Sequence, residues 1–120
     1  MKKLPDSFAG EVLRPGDPGY DEARVVWNGM IDRRPGLIVQ PRGVADVIAA
    51  VTFARTHRLL VSVRGGGHNV TGSAVCDGGL VIDLRDMHAV RVDPKAMTVH
   101  VQGGARLADV DRETQIHGLV

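Results

Sequence analysis

The chain has 120 residues, one domain's worth at most, and its 15 Lys+Arg against 14 Asp+Glu leave a formal charge of +1. So neutral a chain argues against a nucleic-acid partner, which needs a concentrated basic field, and 43% hydrophobic with 24% charged residues argues against disorder. The single cysteine, Cys76, excludes an internal disulfide and a thiolate zinc site of its own, and no apolar run approaches the roughly 20 residues that span a bilayer.

The N-terminus, Met1-Lys2-Lys3-Leu4-Pro5-Asp6, is basic with no apolar stretch behind it; a signal peptide is unsupported and a soluble, cytoplasmic domain is expected, with no membrane partner. Up to Pro18, the prolines and glycines at 5, 10, 15, 16 and 18 read as an extended lead-in. From Tyr20, the spacing of Ala23, Val26, Trp27 and Met30 predicts a short helix, ended before Arg33-Arg34-Pro35-Gly36. Residues 1–34 are therefore set apart from a domain over 35–120.

Leu37-Ile38-Val39 is a short buried strand stopped by Pro41. Val44, Val47, Ile48, Val51 and Ala54 form one apolar stripe at helical spacing, with Gly43 as N-cap, Asp46 near the positive helix end, and Arg55, His57 and Arg58 near the other. Leu59 to Val63 is a continuous apolar strand, so Leu37 to Val63 reads as a βαβ unit with parallel strands. Leu80 to Leu84 gives another strand. Val90 and Val92, the turn Asp93-Pro94-Lys95-Ala96, then Met97, Val99 and Val101 predict a β-hairpin with one face buried. After Gly103-Gly104, the residues Leu107, Val110, Thr114 and His117 mark a last helix with Gly118 as C-cap. The chain stops at Gly118-Leu119-Val120, two apolar residues with no polar tail, which reads as a cut.

Chemistry concentrates in Val63-Arg64-Gly65-Gly66-Gly67-His68-Asn69-Val70-Thr71-Gly72. Three glycines directly after a buried strand allow positive φ and a close approach of backbone to a ligand, and successive amides in such a turn can form an anion-binding nest. A strand's carboxyl end is also where ligands gather in α/β sheets. A phosphate-bearing ligand and a bland tight turn both remain open on these residues alone. The usual phosphate motifs fail: a G-x-G-x-x-G beginning at Gly65 meets Val70 where glycine is needed, and the G-x-x-x-x-G from Gly67 to Gly72 is followed by Ser73 rather than lysine. By the same conservative standard His68 is an ordinary loop residue. The other histidines (57, 88, 100 and 117) show no metal-like pairing, Cys76 is a small free thiol in a loop, and Asp83 caps a neighbouring loop or sits at a strand's wet end.

The run Val61 to Asn69, followed by Gly79-Leu80-Val81-Ile82-Asp83-Leu84-Arg85-Asp86-Met87, resembles the PCMH-type FAD-binding domain of flavin-linked oxidases. More narrowly it is similar to the berberine-bridge-enzyme-like and 6-hydroxy-D-nicotine-oxidase-like group. Pro35 to Pro41, Val44 to His57 and Val99 to Ala105 fit the same pattern, so the likeness runs from about Pro35 onward. The resemblance implies an α+β fold: the first lobe of such a domain, a small mixed sheet with a βαβ unit, a β-hairpin and flanking helices. It implies FAD as cofactor, held through the backbone amides of Gly65, Gly66, Gly67, His68 and Asn69, with Arg64 steadying the loop. It also implies that His68 is the histidine attached to the flavin 8α-methyl group; a neutral imidazole nitrogen is a competent nucleophile near pH 7 and a rigid glycine loop would orient it. Complete enzymes of the group carry a second lobe and a substrate domain, neither of which is in this sequence. The expected function is thus the FAD-binding portion of an oxidase acting on a small-molecule C–H, inactive alone and exposing apolar surface that favours self-association. A non-catalytic binding or assembly module, or a subunit completed by a separate partner chain, are the alternatives.

Overall fold

Six strands and three helices alternate along the chain: β1 (Glu11–Leu13), α1 (Tyr20–Arg24), β2 (Leu37–Gln40), α2 (Val44–Thr56), β3 (Val61–Arg64), β4 (Leu80–Asp83), β5 (Val90–Asp93), β6 (Thr98–Val101) and α3 (Leu107–Gln115). This computed structural model describes residues 3–120; Met1 and Lys2, part of the basic N-terminus noted above, lie outside them. The main sheet has the order β1-β2-β4-β3, with β1 antiparallel to β2 and the other three strands parallel. Every residue of β2 and β4 is buried, which is why both read as unbroken apolar runs. Side-chain alternation divides the core between the two faces of the sheet. Leu37, Val39, Leu80 and Ile82 pack with Ala50 and Phe53 of α2. Ile38 and Val81 pack with Tyr20, Ala23, Val26 and the segment Ala74-Val75-Cys76.

The βαβ expectation holds in direction but not in adjacency. β2 and β3 are parallel, yet β4 lies between them, pairing Val81 with both Ile38 and Ser62. Part of the lead-in is a strand, since β1 hydrogen-bonds along β2. The first helix is shorter than its periodicity predicts. Val25 is already extended, Met30 is exposed, and Trp27 gives its amide to the Gly67 carbonyl at 3.0 Å instead of to a helical partner.

Helix α2 lies where predicted but is turned about its axis. Its buried residues are Asp46, Ala50, Phe53 and Ala54, while Val44, Ile48 and Val51 are 67%, 61% and 49% exposed. Phe53 is the largest apolar side chain on the helix, and the small Ala50 lets the helix approach the sheet. Asp46 fixes the rotation by accepting the Ala9 amide at 2.9 Å and the Arg42 amide at 3.0 Å. The C-terminus closes through Leu59 N–H to the Ala54 carbonyl (2.9 Å) and Arg58 N–H to the Arg55 carbonyl (3.2 Å), with Arg58 left-handed at φ 53°.

The hairpin β5–β6 forms around the expected turn, pairing Val90 with Val101 and Val92 with Val99, and the turn is held by Asp93 Oδ1 accepting the Lys95 and Ala96 amides, each at 3.1 Å. The expected buried face is not there: β6 is exposed throughout and β5 is at best half-buried, although α3 packs against β5. Helix α3 ends at Gln115 with Ile116 as its C-cap, short of the expected Gly118, which instead carries the left-handed turn after it. Gly118, at φ 67°, gives its amide to the Gln115 carbonyl at 3.0 Å, and Leu119 bonds the Thr114 carbonyl at 3.1 Å.

Candidate functional site

The glycine loop leaves the sheet at Arg64, whose partner across β4 is Asp83. Arg64 turns back rather than out: its Nη1 donates to the Ala23 carbonyl at 2.7 Å, tying the end of β3 to α1. Burial pulls its guanidinium below the ordinary arginine value, Asp83 pulls it back up, and Arg85 adds to the lowering. Two of the three glycines are required, each for a different reason. Only Gly67 is left-handed, at φ 73°, where a Cβ would also come within 3.1 Å of the Arg64 guanidinium. Gly65 is needed for close approach, since a Cβ there would fall 2.8 Å from the Gly103 carbonyl oxygen.

His68 projects from the loop and is exposed, its ring stacked on Trp27 with centroids 5.7 Å apart and planes 15° from parallel. Beyond it the chain folds on itself. Asn69 Oδ1 accepts the Thr71 amide at 2.9 Å and the Thr71 hydroxyl at 2.6 Å, and the Asn69 carbonyl accepts the Gly72 amide at 3.1 Å. Two outside residues pin the far side: Asn28 Nδ2 donates to the Val70 carbonyl at 2.9 Å, and Arg33 Nη1 to the carbonyls of Gly72 at 2.8 Å and Val75 at 3.0 Å. These contacts use the loop's carbonyls. The amides of Gly65, Gly66, Gly67, His68 and Asn69 donate to no group of the chain among the described residues.

A cavity of about 660 Å³ opens beside Gly65 and Gly66. Its lining mixes charges, Arg64, Arg85 and Arg106 with Asp83, Asp86 and Asp109, and includes Gly104. Asp83 is fully buried and caps the turn after β4, accepting the Arg85 amide at 3.2 Å and Arg85 Nε at 2.8 Å. Gly103-Gly104 closes against the same turn, Gly104 donating to the Met87 carbonyl at 3.0 Å. Of the residues singled out by sequence, Arg64, Gly65 and Gly66 therefore face this cavity, while Gly67, His68 and Asn69 lie beyond its lining, His68 on the side of Trp27.

A diphosphate fits this loop. Anions bind to free, clustered main-chain donors, and the loop presents a run of them on a bend that Cβ atoms at Gly65 and Gly67 would obstruct. Sequence reasoning missed Trp27, Asn28 and Arg33, which it spent on a helix and a breaker. The contacts that define them lie about 40 residues away, and only the polarity of the Trp27-Asn28 pair on a supposed apolar helix hinted at another use. Cys76 is in a loop as expected, though buried in the core, its Sγ 3.8 Å from the Leu60 and Leu80 carbonyls. No group of three or more His, Cys, Asp or Glu side chains that could hold a metal occurs among the described residues, and no helix among them is long and apolar enough to cross a membrane.

Residues 35–120 match the FAD binding domain family. The chain is 38% identical over 115 residues to (R)-6-hydroxynicotine oxidase of Paenarthrobacter nicotinovorans, covering 96% of this chain and 25% of that protein. The crystal structure of 6-hydroxy-D-nicotine oxidase from Arthrobacter nicotinovorans superposes with a TM-score of 0.89 at 38% identity, over 95% of this chain and 25% of the other. A berberine-bridge-enzyme-like protein of Physcomitrella patens gives a TM-score of 0.86 at 28% identity, over 92% and 24%. The chain thus spans about a quarter of the length of these relatives. It belongs to the FAD binding domain family of FAD-linked oxidoreductases, with the α+β fold of that domain, and its cofactor is FAD.

Proposed function

We propose that this chain is the first lobe of the FAD site of a flavin-dependent oxidase, in which the amides of Gly65, Gly66, Gly67, His68 and Asn69 hold the diphosphate and Arg64 steadies the loop. The observation that carries the reading is the run of loop amides with no partner among the described residues, beside an exposed imidazole. FAD, when bound, supplies a hydride acceptor that takes two electrons from a small-molecule C–H of alcohol, sugar or amine type and is reoxidised by dioxygen to give hydrogen peroxide. His68 attaches to it covalently. An imidazole nitrogen of His68 would bond to the 8α-methyl carbon, the imidazole N–H and one methyl C–H being given up, with the flavin itself as the two-electron acceptor for the step.

The substrate is contacted by parts of the protein outside this chain, and uncovered apolar side chains such as Ile48 and Val51 favour self-association of the isolated lobe. Size-exclusion chromatography that finds a strict monomer removes that last element. For the site itself, the FAD-loaded protein is precipitated in acid. The pellet should retain yellow flavin, and His68→Ala should release it into the supernatant. A protein that binds no FAD at all defeats the assignment.

A further inference from the structure

Two consecutive residues outside the loop hold it at three positions, Gly67, His68 and Val70. Trp27 gives its backbone amide to the Gly67 carbonyl at 3.0 Å, Asn28 Nδ2 donates to the Val70 carbonyl at 2.9 Å, and between these anchors the Trp27 indole lies flat against His68, 15° from parallel. No hydrogen bond from His68 to any group of the chain occurs among the described residues, so the indole is the contact that defines the plane of its ring. Trp27 itself is 66% exposed and stands outside both core clusters. A large aromatic left in solvent is poorly explained by packing. It is well explained by holding a reactive ring, because an offset-stacked pair limits rotation about the histidine side-chain torsions without using either ring nitrogen.

We propose that Trp27 is the positioning residue for His68: its amide fixes the carbonyl immediately before His68, and its indole holds the imidazole in one plane with both nitrogens free to react. The inference rests on the reading of His68 as the flavin attachment point and adds to it the group that orients the nucleophile. Stacked aromatic pairs are worth about 0.5–1.5 kcal/mol, so losing the indole should slow attachment by about two- to thirteen-fold.

The test uses the full-length protein, expressed without flavin, mixed with FAD, and sampled over time for acid-stable flavin fluorescence. Trp27→Ala should attach flavin about two- to thirteen-fold more slowly. Its non-covalent FAD affinity should match the unsubstituted protein, since the backbone keeps the amide that holds the Gly67 carbonyl. Trp27→Phe, which restores a flat ring, should recover most of the rate, a rescue that a general loosening of the fold would not give. An unchanged attachment rate in Trp27→Ala, or a loss that Phe does not rescue, overturns the positioning role while leaving His68 as the attachment point. A protein that binds FAD but never retains it through acid, with or without Trp27, overturns the attachment reading and the positioning role with it.

Discussion

The three loop glycines make a graded test, because each alanine meets a different obstacle. At Gly66 the backbone is outside the left-handed region and a Cβ would come to 3.4 Å from His68 Cδ2, an ordinary contact. Gly66→Ala should leave stability unchanged or raise it by about 0.4–1 kcal/mol through the less flexible unfolded chain. At Gly67, φ is 73° and the new atom would sit 3.1 Å from Arg64 Nε and Nη2. A left-handed alanine costs roughly 1–2 kcal/mol, offset in part by the same unfolded-state gain, for a net loss of about 1 kcal/mol. The guanidinium can retreat by a few tenths of an ångström, at the expense of its bond to the Ala23 carbonyl. At Gly65 the obstacle is backbone, the Gly103 carbonyl oxygen at 2.8 Å. Moving it displaces a second chain segment, a form of overpacking that costs about 1–3 kcal/mol. Urea denaturation of the three variants, followed by circular dichroism, should place the midpoints in the order Gly66→Ala, Gly67→Ala, Gly65→Ala from most to least stable. Equal losses at Gly66 and Gly67 would refute the argument from φ, and a harmless Gly65→Ala would refute the close approach.

Three further outcomes follow from the packing. Burial alone would raise the Asp46 carboxyl, but the Ala9, Arg42 and Gly10 amides outweigh it and hold the group below its ordinary value. Its stabilisation is therefore complete above the unfolded value near about 3.9 and lost as pH falls through the folded one; Asp46→Asn should cost about 1.5–3 kcal/mol in neutral urea melts, a gap that closes in acid. Arg58→Gly should raise the urea midpoint by about 0.5–1 kcal/mol equivalent, since Arg58 holds a left-handed conformation at φ 53° that glycine adopts without strain. Tyr20→Phe should cost about 1–3 kcal/mol in the same assay, because the Tyr20 hydroxyl donates to the buried Pro35 carbonyl at 2.6 Å and phenylalanine leaves that oxygen without its donor.

What could be read from sequence was local. Leu37-Ile38-Val39 and Leu80-Val81-Ile82 were legible as strands because burial on both faces demands unbroken apolar runs, and the hairpin was legible because Asp93 and Pro94 interrupt a period of two. The phase of α2 was not. Its sequence carries one stripe through Val44, Ile48 and Val51 and another through Asp46, Ala50 and Phe53, and the choice is made by the Ala9 and Gly10 amides, 37 and 36 positions before Asp46. Strand order was hidden for a similar reason. Nothing in β2, α2 and β3 announces that β4 will enter between the first and last. In the site, the glycine loop and His68 were visible as a run, whereas Trp27 and Asn28 acquire their roles only when the segment after α1 is laid across that loop.

The base of the hairpin shows how far the glycine loop depends on distant backbone. A Cβ at Gly104 would lie 1.7 Å from the Leu84 carbonyl oxygen and 2.4 Å from its carbon, so no rotamer change can admit it. Gly104 and Gln102 also give their amides to the Met87 and Ala89 carbonyls, both at 3.0 Å, tying the hairpin to the turn after β4, and Gly103 meets Gly65 next door. Because β6 is exposed throughout, the hairpin has little buried surface with which to resist losing that tie. Gly104→Ala should therefore act locally. Amide hydrogen exchange across Val90 to Gln102 should accelerate by about ten-fold or more, the equivalent of at least about 1.4 kcal/mol, while β2 and β4 stay protected by the two-sided core. FAD affinity should fall with it, since releasing Gly103 frees the loop at Gly65. Unchanged exchange in the hairpin, or a uniform loss across β2 and β4, would show that the two segments are not coupled through this contact.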